Sequence, residues 1–381
     1  MIGSRQKLLM GAAGVKAGGI WEWPEYVSFS QWQGQFNIEK GSVGSPTTSL
    51  IVNQELGDLK WHGGILAPNG NIYFIPRNTS DLAILDPSED EISFVSTQLS
   101  VTNSIFWFGG VLAQNGKIYG VPFNATSILI IDPETNIAVG SSFGGFQGGN
   151  ALWYGGVLGS DGKIYCIPWG SNQILILDPE TETHQRINMG ASLSGRDKWL
   201  SGSLGADNKI YGVPWSSPNI LIIDPESGTA TRSNLGASIP SGGSKWAGGV
   251  LAGNGKIYCV PNSATDILII DTINGSATRT DMGLDLTGDN KWSGGTLGPD
   301  GRIYCAPRDA TSVLIIDPST DSATISEITG FTGNTKYQSA CLAGNGKIYC
   351  IPSRAENTLV INVDSSVLSQ RLVLDPRHNK F

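Results

Sequence analysis

The side chains best able to bind a metal or act as nucleophiles are few in this sequence, and their positions argue for structural roles. Cys166, Cys259, Cys305 and Cys350 each close an Ile-Tyr-Cys triplet. They hold one position of a repeat and therefore stand on separate units, too far apart for the short Cα separation of a disulfide. Cys341 is brought towards Cys350 by the Asn345-Gly346 turn, which leaves one local bridge as an alternative. The expected role is that of small buried hydrophobes in a reducing compartment. His62, His184 and His378 show no ligand spacing with cysteine or carboxylate, so no zinc or copper site is expected. Asp86, Asp132, Asp178, Asp224, Asp271 and Asp317 recur regularly and invite a calcium reading. All except Asp271 precede a proline, and an aspartate there accepts hydrogen bonds from its own turn. No nucleophile elbow, phosphate loop or dinucleotide fingerprint is present; the glycine-rich run 140–149 lacks a strand–loop–helix setting. Asn78, Asn124 and Asn274 match the glycosylation acceptor pattern, as chance allows in a chain rich in Asn, Ser and Thr. No catalytic residue, metal or cofactor is expected.

The repeat supplies the elements that position every other candidate. A tyrosine recurs at Tyr73, Tyr119, Tyr165, Tyr211, Tyr258, Tyr304 and Tyr349, in steps of 46, 46, 46, 47, 46 and 45 residues. Twelve residues before it stands Trp61, Trp107, Trp153, Trp199, Trp246, Trp292 or Tyr337, and three after it a proline, from Pro76 to Pro352. Within one unit, Gly248–Ala252 and Lys256–Val260 are strand candidates joined by Asn254-Gly255, a pair suited to a two-residue hairpin because both residues tolerate positive φ. Pro261 stops the second strand. Ile267–Ile270 is a β-branched third strand, Asp271 opens a turn, and Ser276–Thr280 is the fourth. Four antiparallel strands in about 45 residues make a propeller blade. Seven blades packed radially bury faces that one blade leaves exposed. The Gly-Gly pairs, such as Gly63-Gly64 and Gly109-Gly110, are expected where first strands converge on the channel and leave no room for side chains.

The repeat resembles the seven-bladed propellers of the kelch and surface-layer type over roughly residues 48–374. It lacks the Gly-His and Trp-Asp signatures of Trp-Asp-repeat propellers and the Asp-box pattern of sialidases. The resemblance implies architecture and leaves function to be argued from sites.

Sites are sought where the copies diverge. The connections between second and third strands and between blades share one face, and there the residue after the proline is Arg77, Phe123, Trp169, Trp215, Asn262, Arg308 or Ser353. The residue after the marker aromatic is His62, Phe108, Tyr154, Leu200, Ala247, Ser293 or Gln338. Blades 2 to 4 thus gather Phe108, Phe123, Tyr154, Trp169 and Trp215, a set suited to stacking on sugar rings or anchoring a protein, with Arg77 and Arg308 beside it. Lys60, Lys198, Lys245, Lys291 and Lys336 precede the marker and are read as a basic ring around the channel mouth. The competing reading packs these aromatics between blades and lays the lysine stems over them.

The front of the chain stands apart. Residues 1–20 combine a basic start with the apolar Leu8–Val15. One reading is a secretory signal, though its apolar core is short, glycine-rich and ended by Lys16. Arg5 to Gly14 (Arg-Gln-Lys-Leu-Leu-Met-Gly-Ala-Ala-Gly) also looks like the openings of virion structural and tail-fibre proteins of marine tailed bacteriophages. That resemblance implies a segment, with Arg5, Lys7, Leu8, Leu9, Trp21 and Trp23, that docks on other virion proteins. Residues 21–47 are dense in aromatics and are expected to pack over the propeller or to contact a partner chain. Thr48–Leu56 reads as the outer strand of the last blade and closes the ring by joining the chain ends; Val367–Leu374 competes for that place.

The expectation is a single all-β domain, a seven-bladed β-propeller over 48–381 with four antiparallel strands per blade, after an N-terminal extension over 1–47. A net charge of −8 speaks against a general nucleic-acid or anionic-membrane binder, and no eighteen-residue apolar window exists for a membrane span. The expected function is non-enzymatic: a structural or adhesive virion component (tail fibre, knob, or head or tail decoration), assembled in the host cytoplasm and oligomeric in the particle. Its variable face would bind a virion partner or a host-surface glycan. A free lectin-like or scaffolding propeller, secreted or cellular, is the second class. A polysaccharide-acting propeller enzyme is the third, which a carboxylate pair at the channel mouth would favour.

Overall fold

The structure, a computed structural model, describes residues 46–52, 59–97, 99, 106–326 and 331–363. They form 28 strands in seven four-stranded antiparallel sheets. The sheets span 61–96, 107–141, 153–187, 199–233, 246–280 and 292–325, and a seventh uses 337–362. In blade 1 the strands are Trp61–Leu66, Ile72–Pro76, Asp81–Asp86 and Glu91–Ser96, paired in chain order. Asn69-Gly70 makes the first hairpin, with Gly70 at φ 90°, a backbone that a Cβ would strain. The Asp86 carboxylate accepts the Ser88 amide at 2.8 Å. Asp132, Asp178, Asp224, Asp271 and Asp317 accept the amide two residues on in the same way, so all six cap their own turns.

The core lies in seven wedges between blades. One joins Ile65, Ile75, Leu82 and Ile84 of blade 1 to Trp107, Ile118, Leu129 and Ile131 of blade 2. Each such aliphatic side chain contributes about 1.5–3 kcal/mol when fully buried. The marker tryptophans of blades 2 to 6 tie their blades internally, while the Trp61 indole N–H has no partner. The indole N–H of Trp153 donates to Gln173 O at 2.8 Å and that of Trp246 to Asp266 O at 2.8 Å, linking the first strand to the loop that opens the third. Tyr73, Tyr258 and Tyr349 tie blade to blade, whereas Tyr165, Tyr211 and Tyr304 donate to an aspartate of their own first hairpin. Tyr73 Oη donates to Asn136 Oδ1 of blade 2 at 2.5 Å, while Asn69 Nδ2 donates to Tyr73 Oη at 2.8 Å and to Pro133 O at 2.9 Å. Tyr349 and Asn345 make the same latch from blade 7 to Asp90 and Pro87 of blade 1.

Thr47–Val52 supplies the fourth strand of blade 7. It runs antiparallel to Asn357–Asn362, with Thr47 opposite Asn362 and Val52 opposite Asn357. The front of the chain therefore closes the ring. Val367–Leu374 and residues 1–45, with Arg5, Lys7, Leu8, Leu9, Trp21 and Trp23, lie outside the described residues.

The Gly-Gly pairs lie where neighbouring blades converge, and the two glycines of a pair have different reasons. The first strands carry a bulge, as between Trp61 and Gly64, and the first glycine takes positive φ there: 88° at Gly63 and 73° at Gly109. Ser201 adopts φ 64° at the equivalent place in blade 4. The second glycine faces the preceding blade. A Cβ on Gly64 would stand 2.4 Å from Ile351 Cδ1, and one on Gly110 2.6 Å from Ile75 Cδ1. All five cysteines are buried and free. Cys341 lies opposite Tyr349, and Ala340 opposite Cys350, so the local bridge does not form. Burial raises the Cys166, Cys259, Cys305 and Cys350 thiols far above their ordinary value and Cys341 to about 12.

Gly64→Val places a branched Cβ against the Ile351 side chain and should destabilise the protein by about 1–3 kcal/mol, read from urea denaturation. Gly344, where an added Cβ meets nothing within 4 Å, is the control. Equal stability of Gly64→Val and Gly344→Ala would overturn the inter-blade packing described for these glycines.

Candidate functional site

Two positions of each blade meet at one end of the channel. The residue after the proline is held by its amide to the carbonyl preceding the marker aromatic: Arg77 to Lys60 at 2.7 Å, Trp215 to Lys198 at 2.9 Å and Arg308 to Lys291 at 2.9 Å. The residue after the marker therefore lies beside it, on the same face. Hairpins between first and second strands, and the aspartate turns, occupy the opposite face.

The five aromatics expected to gather do so. Phe108 lies 4.4 Å from both Phe123 and Tyr154, centroid to centroid. Tyr154 continues to Trp169 at 5.3 Å, and Trp169 to Trp215 at 5.7 Å with the planes at 51°. Buried Leu200 and Ala247 pack beneath Tyr154, Trp169 and Trp215. Phe108 is buried, whereas Phe123, Tyr154, Trp169 and Trp215 keep part of their surface in solvent. The two readings thus divide the set, with Phe108 as packing and four rings as an accessible wall.

His62 enters this group, although the histidines showed no ligand pattern. Only 2% of its surface is exposed, its ring lies 4.6 Å from Phe108, and its Nε2 is 2.7 Å from Tyr154 Oη. That contact passes over blade 2 to link blades 1 and 3. Burial pushes the imidazole pKa down to about 3, helped by Arg77 and Arg308, so the ring is neutral at physiological pH. Burial raises the Tyr154 phenol to about 12, against the opposing pull of the same two arginines.

Arg77 lies over the Phe108 ring at 5.1 Å, a cation–π contact. Arg308 Nη1 donates to Asn290 Oδ1 at 2.6 Å. Burial lowers the pKa of Arg77, and the charges of Arg308 and Arg354 lower it further. Arg354 was not anticipated because it sits one residue out of register, after Ser353. Buried Ser293 and Gln338 line the same side, with Ser293 Oγ 3.1 Å from Gln338 Oε1. The mouth is thus divided: aromatic across blades 2 to 4, polar and cationic across blades 6, 7 and 1.

The lysines do not make a basic ring. Lys198, Lys245, Lys291 and Lys336 are buried. Lys198 Nζ donates to the carbonyls of Trp169, Ser171 and Gly195 at 2.9, 3.0 and 2.6 Å; Lys245 caps Gly242, Lys291 caps Ala264 and Gly288, and Lys336 caps Gly333. Inter-blade loops present buried carbonyls, and one ammonium can donate to three of them. Burial pushes Lys198, Lys245 and Lys291 down to about 8. The lysine stems cover the tryptophans, as at Lys198 over Trp199, 5.8 Å from the ring.

Among the described residues no three His, Cys, Asp or Glu side chains converge as metal ligands. The charged groups acting on His62 and Tyr154 are arginines, with no carboxylate among them. Ring stacking, hydrogen bonding and anion pairing are the chemistry this arrangement offers.

Residues 110–284 match a family described as a repeat of unknown function (DUF6923). No curated protein matches the sequence. Solved structures similar in shape include a streptogramin B lyase, 15% identical over 84% of this chain and 98% of its own, with a TM-score of 0.67. Another is a catalytically inactive virginiamycin B lyase from Staphylococcus aureus with quinupristin, at 15% identity, 84% and 100% coverage and a TM-score of 0.66. The extracellular domain of a hybrid two-component system from B. thetaiotaomicron shares 11% identity over 88% of this chain and 47% of that one, with a TM-score of 0.62. At such identities the likeness is one of fold. Neither a kelch protein nor a bacteriophage protein is among those named here.

His62 carries a pH signature. Its folded pKa of about 3 lies below the ordinary 6.5, so between those values the unfolded chain binds a proton that the folded chain does not, and stability falls as pH drops through that window. The loss approaches about 1.4 kcal/mol per pH unit. His62→Asn lacks it, so the stability gap between wild type and variant should move against the wild type by that slope from neutral pH to mild acid. A gap that stays constant with pH would overturn the buried, neutral assignment.

Proposed function

We propose that the chain is a non-enzymatic binding propeller that takes a saccharide at the divided channel mouth. One observation carries this reading: a continuous run of partly exposed rings, Tyr154–Trp169–Trp215 with Phe123 beside it, built at positions that vary from blade to blade within an otherwise regular scaffold. Such rings offer large rigid area with polar edges, and sugars present apolar ring faces that stack on it. The neutral state of His62 and the arginine field around it favour binding over proton transfer. The lyase among the structural neighbours shares the fold at 15% identity, and its activity is that protein's own. The extracellular domain of similar fold accords with a propeller presented outside a cell.

A second reading concerns where the binder is carried. The opening of the chain supports a virion component of a tailed bacteriophage, docked on other virion proteins through its front segment and displaying a kelch-like propeller to a host-surface glycan. A free, secreted lectin-like propeller is the alternative.

A glycan array probed with the full chain tests the binding reading. Trp169→Ala and Trp215→Ala should each lower retention on the best-bound glycan by about tenfold or more, the scale of an aromatic anchor, while Tm shifts by only about 2–4 °C. Unchanged retention would remove the platform, and collapse of the fold would make the two tryptophans core residues. Mass spectrometry of purified phage particles tests the carrier. A stoichiometric chain retaining its front segment supports the virion reading, and absence from particles leaves the free propeller.

A further inference from the structure

We propose that the cationic side of the mouth is an anion subsite, and that the saccharide stacked on blades 2 to 4 is an acidic one whose carboxylate or sulfate is held by Arg77, Arg308 and Arg354. The proposal rests on the saccharide-binding reading and narrows it.

Three consecutive blades in the ring, 6, 7 and 1, supply these guanidinium groups. Arg77 and Arg308 occupy the same repeat position and are anchored by the same amide-to-carbonyl bond, to Lys60 at 2.7 Å and to Lys291 at 2.9 Å. Ser353, the equivalent residue of blade 7, bonds to Lys336 at 2.7 Å, and Arg354 follows it, its amide on Thr335 O at 3.1 Å. Arg77 and Arg308 are therefore anchored at one level along this arc of the rim, with Arg354 one residue further along the equivalent loop. None of the seven ion pairs among the described residues involves any of the three. The Nε atoms of Arg77 and Arg308 are buried without a hydrogen-bond partner, as is Nδ1 of His62. Burial lowers the Arg77 pKa, Tyr154 opposes that, and the charges of Arg308 and Arg354 lower it further.

Like charges held together beside unpartnered Nε groups cost stability, and the partners these arginines do have, the Phe108 ring at Arg77 and the Asn290 side-chain oxygen at Arg308, are neutral. An anion placed among them offsets that cost. Guanidinium groups suit carboxylate and sulfate because their parallel N–H bonds match two oxygens at once. The two halves also touch. Arg77 lies over Phe108 at 5.1 Å, and Phe108 packs on Tyr154 at 4.4 Å, so a ligand of sugar size can stack on the rings and reach the arginines. Trp169 and Trp215 meet at 51°, a trough that suits a puckered pyranose better than the parallel walls a flat base would need. A polyanion as dense as a nucleic acid is opposed by the net charge of −8.

The test measures affinity of the full chain for polygalacturonate, a sulfated galactan and neutral galactan. Wild type should bind one acidic polymer at least about tenfold more tightly than the neutral one, with the gap narrowing as salt is raised. Whichever acidic polymer binds more tightly distinguishes carboxylate from sulfate. The double variant Arg77→Gln/Arg308→Gln should bind acidic and neutral polymers alike while still losing affinity on Trp169→Ala, and Arg77→Lys should restore part of the preference. Equal wild-type affinity for acidic and neutral polymers, with the tryptophan variants still weaker, would overturn the anion subsite and leave the saccharide reading standing. Failure to bind any of the three would overturn both. Should the double variant misfold, the salt dependence of wild type decides alone, since a gap unaffected by salt also overturns the proposal.

Discussion

Every wedge of core in this protein is half-built until the neighbouring blade arrives. Ile65, Ile75 and Leu82 have no apolar partners within blade 1 sufficient to cover them; blade 2 provides these. The last wedge, between blades 7 and 1, packs Tyr349, Ile351 and Val360 against Trp61, Ile72 and Phe74, residues almost three hundred positions apart in sequence. Stability of the ring thus depends on contacts between opposite ends of the described chain, whose loop-closure entropy is offset by this wedge and by the strand pairing beside it. Thr47–Val52 pairs with blade 7, and Tyr349 and Asn345 latch onto the turn of blade 1. The same tyrosine that marks each repeat in sequence carries this duty at other junctions as well.

Much of this was legible because four markers recur in register and each has one physical reason. In five blades the tryptophan gives its indole N–H to a carbonyl, the tyrosine hydroxyl is held by a polar side chain of its own hairpin or of the next blade, the proline ends a strand and the aspartate caps a turn. The closing strand was legible because Asn53–Gly57 ahead of Leu59-Lys60-Trp61 parallels Asn234-Leu235-Gly236 ahead of Lys245-Trp246, which marks Thr48–Leu56 as a fourth strand. What escaped was the direction in which individual side chains point. The lysines before each marker read as a basic rim, yet their ammonium groups fold back onto carbonyls, which depends on loop geometry that no residue type declares. The paired glycines were assigned to the channel, and the bulge that makes the first of them take positive φ is visible only in the strand register.

The candidate site was half legible for the same reason. Phe108, Phe123, Tyr154, Trp169 and Trp215 were found because they occupy aligned positions. Arg354 was missed because it is shifted by one, and His62 was set aside because a histidine without a ligand partner carries no motif. Its importance comes from Tyr154, ninety-two residues away and two blades on. Blade-to-blade distance across a closed ring is set by blade number and stagger, so contacts that skip a blade follow from no local pattern. The division of the mouth into an aromatic and a cationic arc likewise emerges only when blade 7 is placed beside blade 1.

The closing strand also gives the molecule a polarity. Thr47 pairs with Asn362, the blade 7 counterpart of the aspartates that cap the third-to-fourth-strand turns. The described chain therefore enters the ring at its outer circumference and on the side away from the divided mouth. Val363 leaves from that same side. Both points where the described chain meets the ring thus lie on the face opposite the arginines and tryptophans. A contact made at Thr47 or Val363 and a molecule at the mouth would therefore meet opposite faces of the ring.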